Sequence, residues 1–476
     1  MLKKNLFSAV TVLLVLMGVV VTAWWIFHDP SADLKASVPG MDQQGKAGTG
    51  EQAEVKIGEK FTSFAATEDM AGIGWPRFRG SDLDNVSKET MPLAEKLDDL
   101  PGRTRWRIQL GEGHAAPAVY KGRVYLLDYD EKERTDALRC FSLLTGRELW
   151  RREYHVHLKR NHGLSRTIPA VNDRYAVTIG PKCQVMCVDR TTGDLKWGLD
   201  LVKQYGTEVP FWYTGQCPLL DGDTLVVAPG GKALLAGIDC RTGKPAWETP
   251  NPKQWKMSHS SVMKARIGGQ WMYIYFAIGG ICGVAASGSG TGKILWELAG
   301  FAPAVVAPSP VALDGGRILL TAGYGAGTAL IEVKGVGNRW EARIVQQFRP
   351  QEGIASEQQT PVFYKGRVYA ILPKDAGGAR NRFIGVTPAD ATKFTVSSGK
   401  DERFGLGPYL VADDKFFILN DDGELFIARV SGNSFQVMDR KKILSGQDAW
   451  GPLAMASGYL LARDSKEMVC IDIRKK

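Results

Sequence analysis

One unit, repeated eight times, constrains this chain more than any other feature. Each copy is an extended segment ending in proline, then an apolar pair, a tight turn and a second apolar run. The copies read APAVYKGRVYLL at Pro117, IPAVNDRYAVTI at Pro169, CPLLDGDTLVVA at Pro218, SSVMKARIGGQWMYIY with Ser261 replacing proline, SPVALDGGRILLT at Pro310, TPVFYKGRVYAIL at Pro361, GPYLVADDKFFIL at Pro408 and GPLAMASGYLLAR at Pro452. The hexapeptide YKGRVY, identical at 120–125 and 364–369, marks the first and sixth copies. A second unit, T-G-x-x-x-W, follows the early copies and ends at Trp150, Trp197, Trp247 and Trp296. Glycine accepts a positive φ at the end of a tight turn. The tryptophan falls in the strand after that turn, where an indole can fill the gap between stacked sheets. An apolar strand such as QVMCVD or LLAGID precedes each turn, so every period carries four short strands.

Four-stranded units of about 40 to 50 residues in a long array describe a β-propeller. The expected fold class is all-β: an eight-bladed β-propeller of four-stranded blades. The chain ends support a closed ring. The last repeat stops at EMVCIDIRKK, with a third strand but no tryptophan strand, while an unpaired TRWRIQL containing Trp106 precedes the first repeat. That strand is expected to complete the eighth blade and remove both exposed edges. Trp106, Trp150, Trp197, Trp247 and Trp296 are expected to dock one blade on the next. Blades six to eight lack the T-G-x-x-x-W signal, so nothing marks their outer strands.

The N-terminus adds a second element. Lys3 and Lys4 precede an uncharged run over 6–27, about 33 Å long as a helix and enough for a hydrocarbon core of about 30 Å. Trp24 and Trp25 stand at its far end, where indoles favour the membrane interface, and the lysines favour a cytoplasmic N-terminus. The run exceeds the apolar core of a cleaved signal peptide, whose site would fall near Val21 to Ala23, so an uncleaved anchor is expected. No cysteine adjoins it, which argues against a lipoprotein. The polar stretch 28–70 reads as a flexible tether. The expected organisation is a cytoplasmic N-terminus and anchor (1–27, span 6–27), a tether (28–70), a lead-in segment (71–103) and the propeller (104–476). This places a single-pass protein in a bacterial inner membrane, with its propeller in the periplasm. The net charge of +9 is spread without a basic block, so no nucleic-acid partner is expected, and the ring should be monomeric.

These residues resemble a known family. Repeats ending D-x-x-T-G-x-x-x-W are similar to those of the pyrroloquinoline quinone (PQQ)-like β-propellers, and GWPRFRGSDLDNVS at 74–87 resembles a W-P-x-F-R-G segment found ahead of many of them. The resemblance covers about 400 residues and is specific for fold, not for activity. The family includes quinoprotein alcohol dehydrogenases, which bind PQQ and calcium on the ring axis. It also includes a non-catalytic propeller of the outer-membrane β-barrel assembly machinery, which this chain resembles more. The dehydrogenases use a disulfide between adjacent cysteines. Here Cys140, Cys183, Cys187, Cys217, Cys240, Cys282 and Cys470 are all separated. The calcium ligand set matches no motif in the chain, and C-x-x-C-H for a haem is absent.

Other chemistry is thin. Cys140, Cys187 and Cys470 share one repeat position and read as buried packing. YHVHLKRNHG holds His155, His157 and His162, but no carboxylate or thiolate completes a metal set. SGSGTG at 287–292 lacks the P-loop ending and reads as a T-G turn with an insertion. The segments ahead of the inner strands should line one mouth of the axial channel, and they carry His114, Arg166, Trp212, His259, Gln358, Arg403 and Trp450. Four of these are cationic or able to become so, which suits an anionic or flat ligand, or an acidic peptide loop. Trp212, Trp255 and Trp271 are the aromatics a carbohydrate-binding rim would use. The reading favoured by the sequence is a non-catalytic binding or scaffold module for envelope proteins, with no catalytic residue, metal or cofactor. The alternative is a PQQ-dependent oxidoreductase with a variant axial site, holding PQQ and calcium.

Overall fold

The computed structural model describes residues 2–27, 54–65, 70–160, 163–337, 339–446 and 448–475, with the side chains of the first helix given over 12–25. The chain divides into two units, Met1–Ala53 and Glu54–Lys476. The first contains the helix Leu2–Phe27. Among the described residues no helix is long and apolar enough to cross a membrane. The span expected over 6–27 extends beyond the side chains that are described.

The second unit is a ring of eight antiparallel sheets. Blade 1 is built from Ala118–Tyr120, Arg123–Asp130, Thr135–Ser142 and Glu148–His155, in order from the axis outward. Blades 2 to 7 follow the same meander. Blade 8 takes three strands from the C-terminus, Ala454–Ala456, Tyr459–Arg463 and Glu467–Asp472. Its fourth is Thr104–Gln109, paired in register with Trp106 opposite Cys470. The ring closes as the repeat count requires. The outer strands of blades 6 and 7, unmarked in the sequence, are Asp390–Ser397 and Ser434–Lys442.

Part of the stretch 28–70, expected to be a flexible tether, is ordered as a strand. Lys60–Ser63 forms a fifth strand on the outer edge of blade 1, with Lys60 opposite and ion-paired to Glu153. Phe61 lies under the Arg152 guanidinium at 4.5 Å and Phe64 under Arg151 at 5.4 Å. Cation–π contact and ladder bonds order a stretch whose composition alone reads as flexible. Residues 28–53 and 66–69 of the expected tether lie outside the described residues.

The structure explains the T-G-x-x-x-W unit. Each tryptophan of one blade lies over the turn glycine of the next: Trp106 over Gly146, Trp150 over Gly193, Trp197 over Gly243 and Trp247 over Gly292. A Cβ on Gly193 would come within 2.8 Å of the Trp150 ring, and its φ is 75°. Glycine is therefore required both by the turn and by the indole above it. Indole N–H groups bond carbonyls of the same hairpins, Trp106 to Leu143 at 2.7 Å, Trp150 to Thr191 at 3.1 Å and Trp197 to Cys240 at 2.7 Å. Trp296 differs from the docking expected for it. The next blade has a long hairpin, Gly327–Val336 with Arg339–Phe348, in place of a T-G turn. Trp296 instead points its N–H at Met272 Sδ in its own blade, 3.3 Å away.

Near the axis, backbone donors of the inner segments find side chains of the following blade. Ile168 N–H bonds Cys217 Sγ at 3.2 Å, Cys217 N–H bonds Ser261 Oγ at 2.9 Å, Ser261 N–H bonds Ser309 Oγ at 2.9 Å and Ser309 N–H bonds Thr360 Oγ1 at 2.9 Å. This belt satisfies donors that the edge of an inner strand leaves unpaired. It also corrects an alignment. Ser261 occupies the position before proline, not the proline position, because it stands in the belt with Cys217, Ser309 and Thr360. The corresponding Gly407, Gly451 and Ala116 of blades 7, 8 and 1 have no hydroxyl, and the belt does not continue through them.

The segment 73–87 takes over at the axis. Trp75 exchanges two backbone bonds of 2.8 Å with Val119 of blade 1, and Pro76 O accepts from Val171 N–H of blade 2 at 2.8 Å. Arg77 reaches Leu220 O of blade 3 at 2.6 Å. Ser87 N–H bonds Val411 O of blade 7, and Ser457 N–H of blade 8 bonds Ile73 O. Arg79, only 4% exposed, donates to the carbonyls of Leu83 (2.8 Å), Thr360 (2.9 Å), Pro361 (3.0 Å) and Asp84 (3.1 Å). Burial lowers its pKa to about 10, and it stays charged at pH 7. One end of the axial channel is thus filled by chain.

Asp136, fully buried at the start of the third strand of blade 1, gives the ring a pH dependence. Burial raises its pKa to about 7. The Tyr154 hydroxyl, donating at 2.8 Å, and Ser165 at 3.5 Å act in the opposite direction, while the Asp128 charge raises it further. The unfolded carboxyl ionises near pH 3.9, about three units lower. Between about pH 4 and 7 the folded state therefore holds a proton the unfolded state has lost. Stability falls with rising pH by about 1.4 kcal/mol per unit in that window and levels off above it. Asp136→Asn keeps an acceptor for Tyr154 and should flatten this slope in urea unfolding followed from pH 4 to 8. An unchanged slope would contradict the assignment.

Candidate functional site

With 73–87 at one end, the open mouth of the channel lies at the other, where the segments between blades and the loops between second and third strands converge. The longest of these segments is organised by local chemistry. Asp200 caps the short helix Leu201–Tyr205 by accepting from Val202 and Lys203 N–H, and Gly206 ends it in the left-handed region at φ 70°. The chain then runs VPFWYTG toward the axis. Trp212 and Tyr213 are both left-handed, at φ 59° and 69°, a costly conformation for two bulky residues in succession. Tyr213 is held by its hydroxyl, which accepts from Lys159 N–H and donates to Lys159 O, both at 2.8 Å.

The turn presents Trp212 to the mouth. Its ring stacks on Tyr324 of blade 5 at 6.1 Å and 12°, and lies 6.0 Å from His259 of blade 4 and 6.3 Å from Phe211. Phe211 is 37% exposed and Tyr324 44%. Lys374 sits over the Tyr324 ring at 5.5 Å and pairs with Glu357 at 3.3 Å. Arg166 of blade 2 lies in the channel with one Nη bonded to Gly163 O at 3.1 Å. Burial lowers its pKa to about 10, opposed by the Tyr213 and Tyr324 phenols, and it remains a cation. His259 keeps some surface toward the channel, yet protein surrounds it closely. Burial first, and the Arg166 charge second, push its pKa down to about 3.

The seven residues expected at the mouth divide accordingly. Arg166, Trp212 and His259 come together, and His114 stacks on Trp450 at 4.9 Å and 23°. His259 is neutral at physiological pH, so it is not one of the expected cations. Gln358 is exposed; its neighbour Gln359 turns inward and bonds Leu406 O at 3.2 Å and Trp450 O at 2.9 Å. Arg403 is exposed and turns to the carbonyls of Arg380 and Gly378. Sequence reading missed Tyr324, because only inter-blade segments were considered. An aromatic flanked by glycines in AGYGAGT was the available signal.

A second cavity, of about 590 Å³, lies between the closing strand and blade 1. Several of its charges pair internally: Arg139 bonds Asp128 at 2.8 Å and Glu148 at 2.7 Å, Arg151 bonds Glu148 at 2.7 Å, and Arg160 pairs with Glu112 at 2.7 Å. His155 and His157 are exposed, and His162 lies outside the described residues. Trp255 is buried; Trp271 is 43% exposed under Lys264. The turn at 287–292 ends in Gly292 beneath Trp247.

The mouth does not fit the calcium–quinone group of the fold family. Among the described residues no three His, Cys, Asp or Glu side chains meet as a metal set, and calcium requires six to eight oxygen ligands. One face of each mouth indole is already taken by a stacked ring, Trp450 by His114 and Trp212 by Tyr324. All seven cysteines are buried thiols in this structure. What the arrangement offers is an exposed aromatic platform beside a fixed cation.

The model of a family described as outer membrane protein assembly factor BamB matches residues 134–374. A search of curated protein sequences gives no match. Among solved structures, BamB from Moraxella catarrhalis superposes at a TM-score of 0.51 and 12% identity, covering 77% of this chain and 99% of that one. A europium-containing methanol dehydrogenase gives 0.56 and 13%, over 84% and 89%. The computationally designed Ika8 protein gives 0.50 and 14%, over 78% and 100%. At such identities these likenesses show the fold alone.

Proposed function

This chain belongs to the family described as outer membrane protein assembly factor BamB, and from that premise we propose that it is a non-catalytic binding module serving the assembly of envelope proteins. In this reading 6–27 anchors it in the cytoplasmic membrane and the propeller stands on the extracytoplasmic side. Partner proteins dock on the open mouth. The observation that carries the proposal is the platform of Phe211, Trp212 and Tyr324, partly exposed beside half-buried Arg166. Trp, Tyr and Arg are the residues that concentrate binding energy at protein interfaces. A segment bearing carboxylates beside apolar side chains is the complement of such a surface. Two strained aromatic residues are consistent with a loop shaped for contact.

The test is co-purification of partners with the full-length chain from membranes. Replacing Trp212 and Arg166 with alanine together should reduce partner recovery about tenfold or more, with the ring intact by circular dichroism. Equal recovery would move the docking surface elsewhere. Protease added to spheroplasts should reach the propeller if the placement is right, and protection of the propeller would contradict it.

A further inference from the structure

The repeat register brings two thiols together at the junction of blades 2 and 3. In several blades the third-strand residue opposite the docking tryptophan lies against the hairpin of the next blade. Cys470, opposite Trp106, has its sulfur 4.0 Å from Leu143 O. Cys140, opposite Trp150, is buried beside Arg123, with the Arg190 charge acting on it more weakly. Cys187, opposite Trp197, has its sulfur 3.7 Å from Cys240 O. Leu143, Arg190 and Cys240 hold equivalent places, each one residue beyond Ser142, Asp189 and Asp239 at the end of a third strand. In the third blade that place is a cysteine. The Cys240 thiol and burial both raise the Cys187 pKa, and the two residues share one apolar cluster. The docking bond from Trp197 Nε1 to Cys240 O, at 2.7 Å, fixes the same backbone group that Cys187 touches.

We propose that Cys187 and Cys240 form an inter-blade disulfide, a covalent clamp on the span of chain that carries Trp212. As the S–S bond forms, the two thiols release two protons and two electrons. A disulfide oxidant accepts both and leaves as two thiols, so the exchange balances. Both thiols are buried in the finished ring, and the exchange belongs to folding, before the blades dock. Its occurrence in the cell rests on the extracytoplasmic reading above.

The experiment takes the full-length chain from membranes, denatures it in an alkylating reagent, digests it without reductant and identifies the peptides by mass spectrometry. The expected result is a linked Cys187–Cys240 peptide with the other five cysteines alkylated. Cys187→Ser should leave Cys240 alkylated. In a second arm, the reduced full-length chain is unfolded and refolded in detergent with oxidised glutathione. A link in that arm but not in the membrane sample would support the pair and overturn the extracytoplasmic placement. Seven alkylated cysteines in both arms, or a link between other partners, would overturn the proposal.

Discussion

Replacing Trp150 with alanine should cost the ring about 3–5 kcal/mol, the range for removing a buried large aromatic. The side chain is 3% exposed. It bridges blades 1 and 2 through the face of Gly193, the carbonyl of Thr191 and the Tyr125 ring at 6.1 Å. Removing it opens a cavity where two rigid sheets meet, and neither sheet can collapse into the gap without losing its own register. Trp150→Phe should recover part of the loss, because it refills volume but leaves Thr191 O without its indole donor. Trp271→Ala, on the surface, should change stability by no more than about 0.5 kcal/mol. The measurement is the shift in thermal and urea midpoints of the three variants. Equal shifts for Trp150 and Trp271 would contradict the docking role.

The second large effect is expected at Arg79. Alanine there removes the guanidinium that four carbonyls share on the axis, leaving Pro361 O without its Arg79 donor and Thr360 O with only the Tyr409 hydroxyl at 3.5 Å. Each such group costs about 1–3 kcal/mol when left unsatisfied, so a loss of about 3 kcal/mol or more is expected. Segment 73–87 should then become a site of limited proteolysis while the blades stay resistant. Arg79→Lys should rescue little, since an ammonium is a point charge and cannot span the carbonyls a planar fork reaches. Unchanged resistance at 73–87 would show that backbone bonds from Trp75 and Pro76 hold the segment by themselves.

The ring was legible in the sequence because docking is periodic: Trp106, Trp150, Trp197 and Trp247 each need a glycine one blade on, and that spacing is written in the chain. Trp296 shows the limit, since its own repeat carries the motif but the next blade lacks the receiving turn. The axial role of GWPRFRG was not legible. Its partners are backbone groups of Val119, Val171, Leu220, Thr360 and Pro361, which leave no side-chain signature. Lys60–Ser63 was hidden because four residues on an outer edge need little apolar pattern. At the mouth, the direction taken by individual side chains was not legible. Arg403 turns to the carbonyls of Arg380 and Gly378, and Gln359 turns inward in place of Gln358, choices made by local hydrogen bonds. The neutral state of His259 comes first from burial and second from the Arg166 charge, and both arise only when the blades assemble around one channel.

On the function proposed above, the open mouth receives a protein partner and not a calcium-bound quinone. Calorimetric titration of PQQ into the full-length chain, with and without calcium, tests it most directly. The account predicts no saturable heat under either condition, with circular dichroism showing an intact β-propeller. Calcium-dependent binding near one equivalent would contradict it and place a cofactor where the structure shows Arg166, His114 on Trp450 and Trp212 on Tyr324.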